Sequence, residues 1–155
     1  NIRVNVIFVG DWMDDTYEGD LQKIIDEFDI KEQVNFKGFI NNAAGAMSCF
    51  DLIVMPSENE TFGLVLVEAM RAGVPVIGTR SGGVVEILEH QKTGLLFEWN
   101  NPIDLSNQIE SVYSDEQLRR NLAAAGKDHA DIHFNADTHY EKLEELMQQT
   151  INNKG

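Results

Sequence analysis

Short apolar runs alternate along the chain with amphipathic stretches. From Val4 to Val9 the residues are mostly β-branched or apolar and lead into Gly10-Asp11, the pattern of a central parallel strand entering a loop. Leu21, Ile24, Ile25 and Phe28 then take helical spacing after Asp20, and Gln33 to Lys37 returns to strand character before Gly38. A short helix is expected over Ala43 to Phe50, a strand over Leu52 to Met55, and a helix from about Phe62 to Arg71. Gly73 and Pro75 introduce a strand over Val74 to Gly78, followed by a short helix over Val84 to Glu89 and a short strand over Gly94 to Phe97. Beyond Pro102 the pattern is helical almost to the end, with breaks near Ser114 and around His133 to Asn135; in the final stretch Tyr140, Leu143, Leu146 and Met147 share one side. Repeated strand-then-helix units predict an α/β domain with a parallel sheet and helices on both faces. In such sheets ligands bind beyond the carboxyl ends of the strands.

The length of 155 residues suits a single domain, 1–155, able to bury about 70% of the surface of its unfolded chain. Neither a repeat nor a linker interrupts it. The absence of Met at position 1, with a strand starting almost at once, reads as a piece of a longer protein. Twelve basic against 26 acidic side chains give a net charge of −14, which disfavours nucleic acid and anionic membrane as partners. The single cysteine, Cys49, precludes an internal disulfide and agrees with a cytoplasmic location; beside Met47 and Phe50 it reads as a buried structural thiol. No apolar run reaches the length of a membrane span, and no secretory or transit signal is visible at the start.

The most informative chemistry lies in Glu60-Thr61-Phe62-Gly63-Leu64-Val65-Leu66-Val67-Glu68, directly after the apolar strand. A polar loop followed by a glycine at the mouth of a helix aims unpaired backbone N–H groups and the positive helix end at one point, where a diphosphate fits. With the helix opening near Phe62 or Gly63, the Glu68 carboxylate starts roughly 7–9 Å along the axis, within reach of a ribose one linker from the phosphate. Glu60, in the loop, would face a hexose on the other side, each carboxylate accepting from vicinal hydroxyls. Ser81-Gly82-Gly83 before Val84-Val85-Glu86 forms a second glycine loop on the same sheet edge, where glycine permits close backbone approach. Gly10-Asp11 offers a third wall or a simple turn.

Other candidates are weaker. His129 and His133 have metal-ligand spacing without a third ligand, and read as a solvated helix face. Asp11, Asp14, Asp15, Glu18 and Asp20 lack the spacing of a calcium loop. Lys92-Thr93 has no glycine-rich run before it, and neither a Gly-x-Ser-x-Gly elbow nor a cysteine–histidine pair suggests nucleophilic work.

Taken together, Ser57-Glu58-Asn59-Glu60-Thr61-Phe62-Gly63, Glu68-Ala69-Met70, Gly73-Val74-Pro75-Val76-Ile77, Gly82-Gly83, Glu86 and Thr93-Gly94 resemble the C-terminal half of a retaining glycosyltransferase of family 4, also called glycosyl transferases group 1. The resemblance covers nearly the whole chain and implies a Rossmann-like half of a GT-B fold with a helical C-terminal segment. It implies that Glu68 holds ribose hydroxyls and that Glu60 contacts the transferred sugar. The amides of Phe62, Gly63 and Leu64 would address the sugar and distal phosphate. Main-chain groups from Lys37 through Gly38 to Phe39 would contact the base, with Gly82, Gly83 and Glu86 lining the neighbouring loop. The donor would be a nucleotide diphosphate sugar, with no metal or other cofactor, and the hexosyl group would pass to an acceptor hydroxyl with retention.

Family members also carry an Arg and a Lys on the first strand and helix of this half, a stretch that would precede Asn1, and an N-terminal acceptor domain. Neither is in this sequence, so the chain alone is expected to be inactive, and any peripheral membrane contact would run through the missing half. Arg80 could offset part of the lost positive charge, with a surface salt bridge as its expected use. The alternative is a non-catalytic module that binds a nucleotide or sugar phosphate. A receiver-like signalling domain would leave the paired glutamates unexplained.

Overall fold

Parallel pairing of short β-branched runs organises both compact units of the chain, Asn1–Ala43 and Ala44–Gly155. The computed structural model describes residues 3–10, 15–135 and 146–150. In the first unit, β1 (Val6–Phe8) pairs with β2 (Val34–Phe36) in register Val6 to Val34 and Phe8 to Phe36. Helix α1 (Asp15–Glu27) and a 3₁₀ turn at Lys31–Gln33 connect them. The Phe8 and Phe36 rings stack at 5.1 Å, and the pairing runs on past the strands, with Lys37 N donating to Phe8 O and Gly10 N to Gly38 O. Of the helical stripe predicted on α1, Ile25 is buried, whereas Ile24 and Phe28 stay exposed.

The second unit contains α2 from its second residue onward (Ala43–Met47), then β3 (Ile53–Met55), α3 (Leu64–Arg71), β4 (Val76–Thr79), α4 (Val84–Ile87), β5 (Leu95–Phe97), α5 (Pro102–Ser114) and α6 (Glu116–His133). Strands β3, β4 and β5 form a parallel sheet in that order. The expected element sequence is present, but in place of one continuous ladder there are two sheets, because no described strand bonds the second edge of β1 or of β3. Pro75 delays the start of β4 relative to the prediction: it has no N–H to give the ladder, and contributes its carbonyl to Ile53 N instead. The expected breaks near Ser114 and His133 coincide with the ends of α5 and α6. Both α5 and α6 begin with a side-chain cap that the pattern alone did not single out: Asn101 Oδ1 accepts from Asp104 N ahead of Pro102, and Asp115 Oδ1 accepts from Leu118 N.

Both faces of the second sheet are covered. Ile77 of β4 joins Leu95, Phe97, Val112 and Leu122 in a buried cluster completed by Leu105, Ile109 and Leu118 from α5 and α6. On the other face Gly78 leaves room for Val84, Leu66 and Leu88, so α3 and α4 close directly onto β4. Leu66, Ala69 and Met70 of α3 are wholly buried. Helix α6 packs against α3, and Gly126 lets it also approach the Thr93 carbonyl: a Cβ there would stand 2.8 Å from Thr93 O, while Met70 Cγ at 3.5 Å would be in ordinary contact. An interior glycine costs a helix about 1 kcal/mol relative to alanine, and here close approach requires it. Arg71 and Asp131 add an exposed ion pair across the same helix pair.

Two expectations change. Helix α2 ends at Met47, which takes the buried position, and Cys49 falls in the turn that follows, with its amide bonded to Ala46 O and its thiol exposed. Of the predicted C-terminal amphipathic stretch, Tyr140 and Leu143 lie outside the described residues, as do Asp11 and Asp14 of the acidic run; Leu146 and Met147 are exposed. Among the described residues no helix is long and apolar enough to cross a membrane.

Candidate functional site

Parallel register brings the carboxyl ends of β3, β4 and β5 to one edge of the second sheet, with Met55 opposite Gly78 and Thr79 opposite Phe97. The loop from Pro56 to Gly63 leaves β3 there, and the loop from Arg80 to Gly83 leaves β4 beside it. Helix α3 opens at Leu64, one or two residues later than the spacing suggests, because Gly63 adopts the left-handed conformation (φ 71°, ψ 37°) and serves as the N-cap. A side chain at Gly63 would also meet Ile87 Cδ1 at 3.1 Å.

Glu60 remains in the loop, and its Oε1 accepts from the amides of Phe62 at 3.3 Å and Gly63 at 3.2 Å. The carboxylate therefore rests at the mouth of α3, on two of the N–H groups expected to serve a ligand. The next amides, of Leu64 and Val65, have no acceptor among the described residues, as the first turn of a helix requires. Glu68 lies four residues beyond Leu64, about 6 Å along the axis, exposed, and its carboxylate has no hydrogen bond or ion pair among the described residues. Glu86 is likewise exposed on α4.

Gly82 and Gly83 are explained by the neighbouring loop. A Cβ at Gly82, where φ is 55°, would stand 2.4 Å from Glu60 O, and one at Gly83 would stand 2.4 Å from Thr61 O. The two loops touch backbone to backbone, and Gly83 N donates to Glu60 O at 2.8 Å. Two hydroxyls missed by sequence reasoning reinforce the contact: Thr79 Oγ1 donates to Ser57 O at 2.6 Å and Ser81 Oγ to Glu58 O. Arg80 forms the expected ion pair, Nε to Glu98 Oε1 at 2.9 Å. Gly10, Gly38 and Phe39 belong to the first unit, where both glycines have positive φ and Phe39 is exposed. The His129 and His133 rings lie 4.5 Å apart; among the described residues no set of three or more His, Cys, Asp and Glu could hold a metal.

Behind the loops, His90 Nδ1 accepts from Leu96 N at 2.9 Å, which fixes the ring as the neutral tautomer with its proton on Nε2. Burial, followed by the nearby Arg80 charge, holds its pKa below the usual histidine value, against a smaller opposing effect of Asp104. Burial and His133 similarly lower His129. A histidine depressed on folding binds its proton more readily when unfolded, so its contribution is present above about pH 6.5 and lost as pH falls below it. The melting temperature should therefore fall between pH 7.5 and 5.5, and His90→Asn, whose Oδ1 can accept from Leu96 without titrating, should flatten that fall. Calorimetry across this range checks it; an unchanged slope in the variant would remove His90 as a contributor.

Comparison with known proteins gives a consistent placement. Residues 1–129 match the profile of the family described as glycosyl transferases group 1. Over 129 residues, 83% of the chain, it is 33% identical to the N-acetyl-alpha-D-glucosaminyl L-malate synthase of Bacillus anthracis, spanning 34% of that protein. Its structure matches that of Anabaena Alr3699/HepE, solved in complex with UDP, with a TM-score of 0.90 at 30% identity, over 94% of this chain and 41% of that one. HepE has also been solved with UDP-glucose. The C-terminal domain of the glycosyl transferase group 1 protein LpcC from Francisella tularensis, at 21% identity, shares the fold with a TM-score of 0.75, over 86% of this chain and 89% of that one. The chain thus spans about a third of the length of the curated relative and corresponds in fold to the C-terminal half of GT-B glycosyltransferases. With its paired glutamates at the mouth of α3 and its profile match over most of its length, the chain belongs to the glycosyl transferases group 1 family.

Proposed function

We propose that the chain is the donor-binding part of a retaining glycosyltransferase that moves a hexosyl group from a nucleoside diphosphate sugar, of the UDP-glucose class, to an acceptor hydroxyl. The observation that carries this reading is the mouth of α3, where amides with no acceptor among the described residues stand between a half-buried Glu60 and a Glu68 carboxylate that has no partner among them. HepE, a 30% identical structural relative, holds UDP and UDP-glucose. In this reading Glu68 accepts from the ribose hydroxyls and the α3 amides take phosphate and sugar oxygens. The donor's oxygens replace the Glu60 carboxylate on the Phe62 and Gly63 amides, and the released carboxylate turns to the hexose hydroxyls. As the glycosidic bond breaks, negative charge grows on the departing diphosphate, and fixed N–H groups at a helix end stabilise it without reorganising. Glu60 positions the sugar and does not attack it.

The net charge of −14 opposes an anionic donor at long range, so affinity must come from short-range amides and hydroxyl contacts. Transfer itself is assigned to the whole protein, and this chain alone is expected to turn over no substrate, since it spans about a third of the length of its curated relative. Isothermal titration of the chain with UDP and UDP-glucose tests the reading. Saturable uptake of both is expected, and no uptake of either at millimolar ligand would overturn it.

A further inference from the structure

Strand β4 ends at Thr79, yet its pairing with the chain leaving β3 does not end there. In the ladder, Met55 lies opposite Gly78. Beyond it, every second residue of the β4 continuation donates to a carbonyl of the β3 loop: Thr79 Oγ1 to Ser57 O, Ser81 Oγ to Glu58 O, and Gly83 N to Glu60 O. Two side-chain hydroxyls thus take the place of backbone amides where the strands have already diverged. Thr79 is fully buried, and its Oγ1 lies 3.3 Å from Ser81 Oγ, so the two hydroxyls sit side by side while each gives its single proton to a carbonyl of the β3 loop. The strap ends at the residue whose carboxylate lies on the α3 amides.

We propose that Thr79 and Ser81 are positioning residues of the donor site: their hydroxyls hold the Ser57–Glu60 loop at a fixed height above the sheet and so set where Glu60 meets the sugar end of the donor. This rests on the donor-binding reading above. Glu68 is carried by α3, whose Leu66, Ala69 and Met70 are wholly buried, and it does not depend on the strap. Losing the hydroxyls therefore acts on the sugar end and spares the nucleoside end. Misplacement of a contact by about 1 Å can cost up to about a hundredfold, so a loosened strap has ample leverage.

The test uses Thr79→Val, Thr79→Ser and Ser81→Ala in the 155-residue chain, with UDP and UDP-glucose as probes. Removing either hydroxyl should lower UDP-glucose affinity about tenfold while UDP affinity stays within about twofold, and Thr79→Ser should restore both. Ser81→Ala alters a more exposed position, which keeps the test available if Thr79→Val does not fold. Equal losses for the two ligands would reveal general destabilisation and overturn the proposal, as would no loss for UDP-glucose. Amide exchange supplies a readout without ligand: the Gly83 N–H should exchange faster in Ser81→Ala, and unchanged protection would overturn the strap. If wild-type chain binds neither ligand, the donor reading fails, and with it the assignment to a donor site. Exchange at Gly83 then reports separately whether the strap exists.

Discussion

Replacing Glu68 with alanine should weaken UDP binding about 30- to 100-fold while leaving the fold intact. An ionised carboxylate accepting from two vicinal hydroxyls makes charge-assisted bonds worth about 1.5–3 kcal/mol each, and a net loss of about 2–3 kcal/mol corresponds to that range. The carboxylate is exposed and unpaired among the described residues, so its removal leaves no buried partner stranded, and alanine suits a helix interior. Removing one negative charge from a chain carrying −14 favours anion binding slightly, so the predicted loss runs against the electrostatic trend. Titration with UDP and with 2′- and 3′-deoxy analogues forms a double-mutant cycle: the deoxy analogues should bind wild type weakly and lose little further in the variant. A loss below about threefold, or additive losses for variant and analogue, would detach Glu68 from the ribose.

Three glycine substitutions should separate crowding from backbone strain. At Gly83 the backbone is ordinary (φ −68°), and the obstacle is Thr61 O, 2.4 Å from the new methyl. A backbone carbonyl cannot swing aside as a side-chain end can, so Gly83→Ala must pry the two loops apart and strain the Gly83 N to Glu60 O bond. Overpacking of this kind costs about 1–3 kcal/mol, and loss of the bond adds about 1. At about 2–4 °C per kcal/mol for a chain of this size, a total cost of about 2–4 kcal/mol should lower the melting temperature by about 4–16 °C. Gly82→Ala meets Glu60 O at 2.4 Å and also needs φ 55°, so it should cost more. Gly73→Ala is the control: φ is 74° and no atom lies within 4 Å, leaving only the strain of a left-handed alanine, about 1–2 kcal/mol. Thermal melts of the three variants should rank them Gly82, Gly83, Gly73 in decreasing loss. A Gly83 variant no more damaged than Gly73 would mean that the loop contact costs no more than the strain of a left-handed alanine.

Local pattern carried most of the fold. The run from Leu52 to Met55, the stretch ending at Arg71 and the breaks at Ser114 and His133 were all legible, because each depends on neighbours a few residues away. Gly63 was legible as the gate of α3 because only glycine takes that backbone easily. What could not be read depends on distant partners. Thr79 and Ser57 are 22 residues apart, and nothing at either position announces the bond between them. Gly82 and Gly83 suggested close backbone approach, and their approach to Glu60 and Thr61 could not be read from the sequence, which does not name the partner. Cys49 looked buried by its neighbours' hydrophobicity, but α2 stops at Met47 and turns the thiol outward.

Gly126 touches none of the proposed ligand contacts, yet it lies in the helix that backs the one bearing Glu68. A Cβ there would press on the Thr93 carbonyl at 2.8 Å and would meet Met70 Cγ at 3.5 Å in ordinary contact, and Met70 sits two residues along α3 from Glu68. A larger side chain at this remote position would push α6 off the Thr93 carbonyl and would be expected to reach the proposed ribose contact through the packing of α6 on α3 alone. A search for altered donor preference that randomises only the mouth of α3 would overlook a lever on its opposite side.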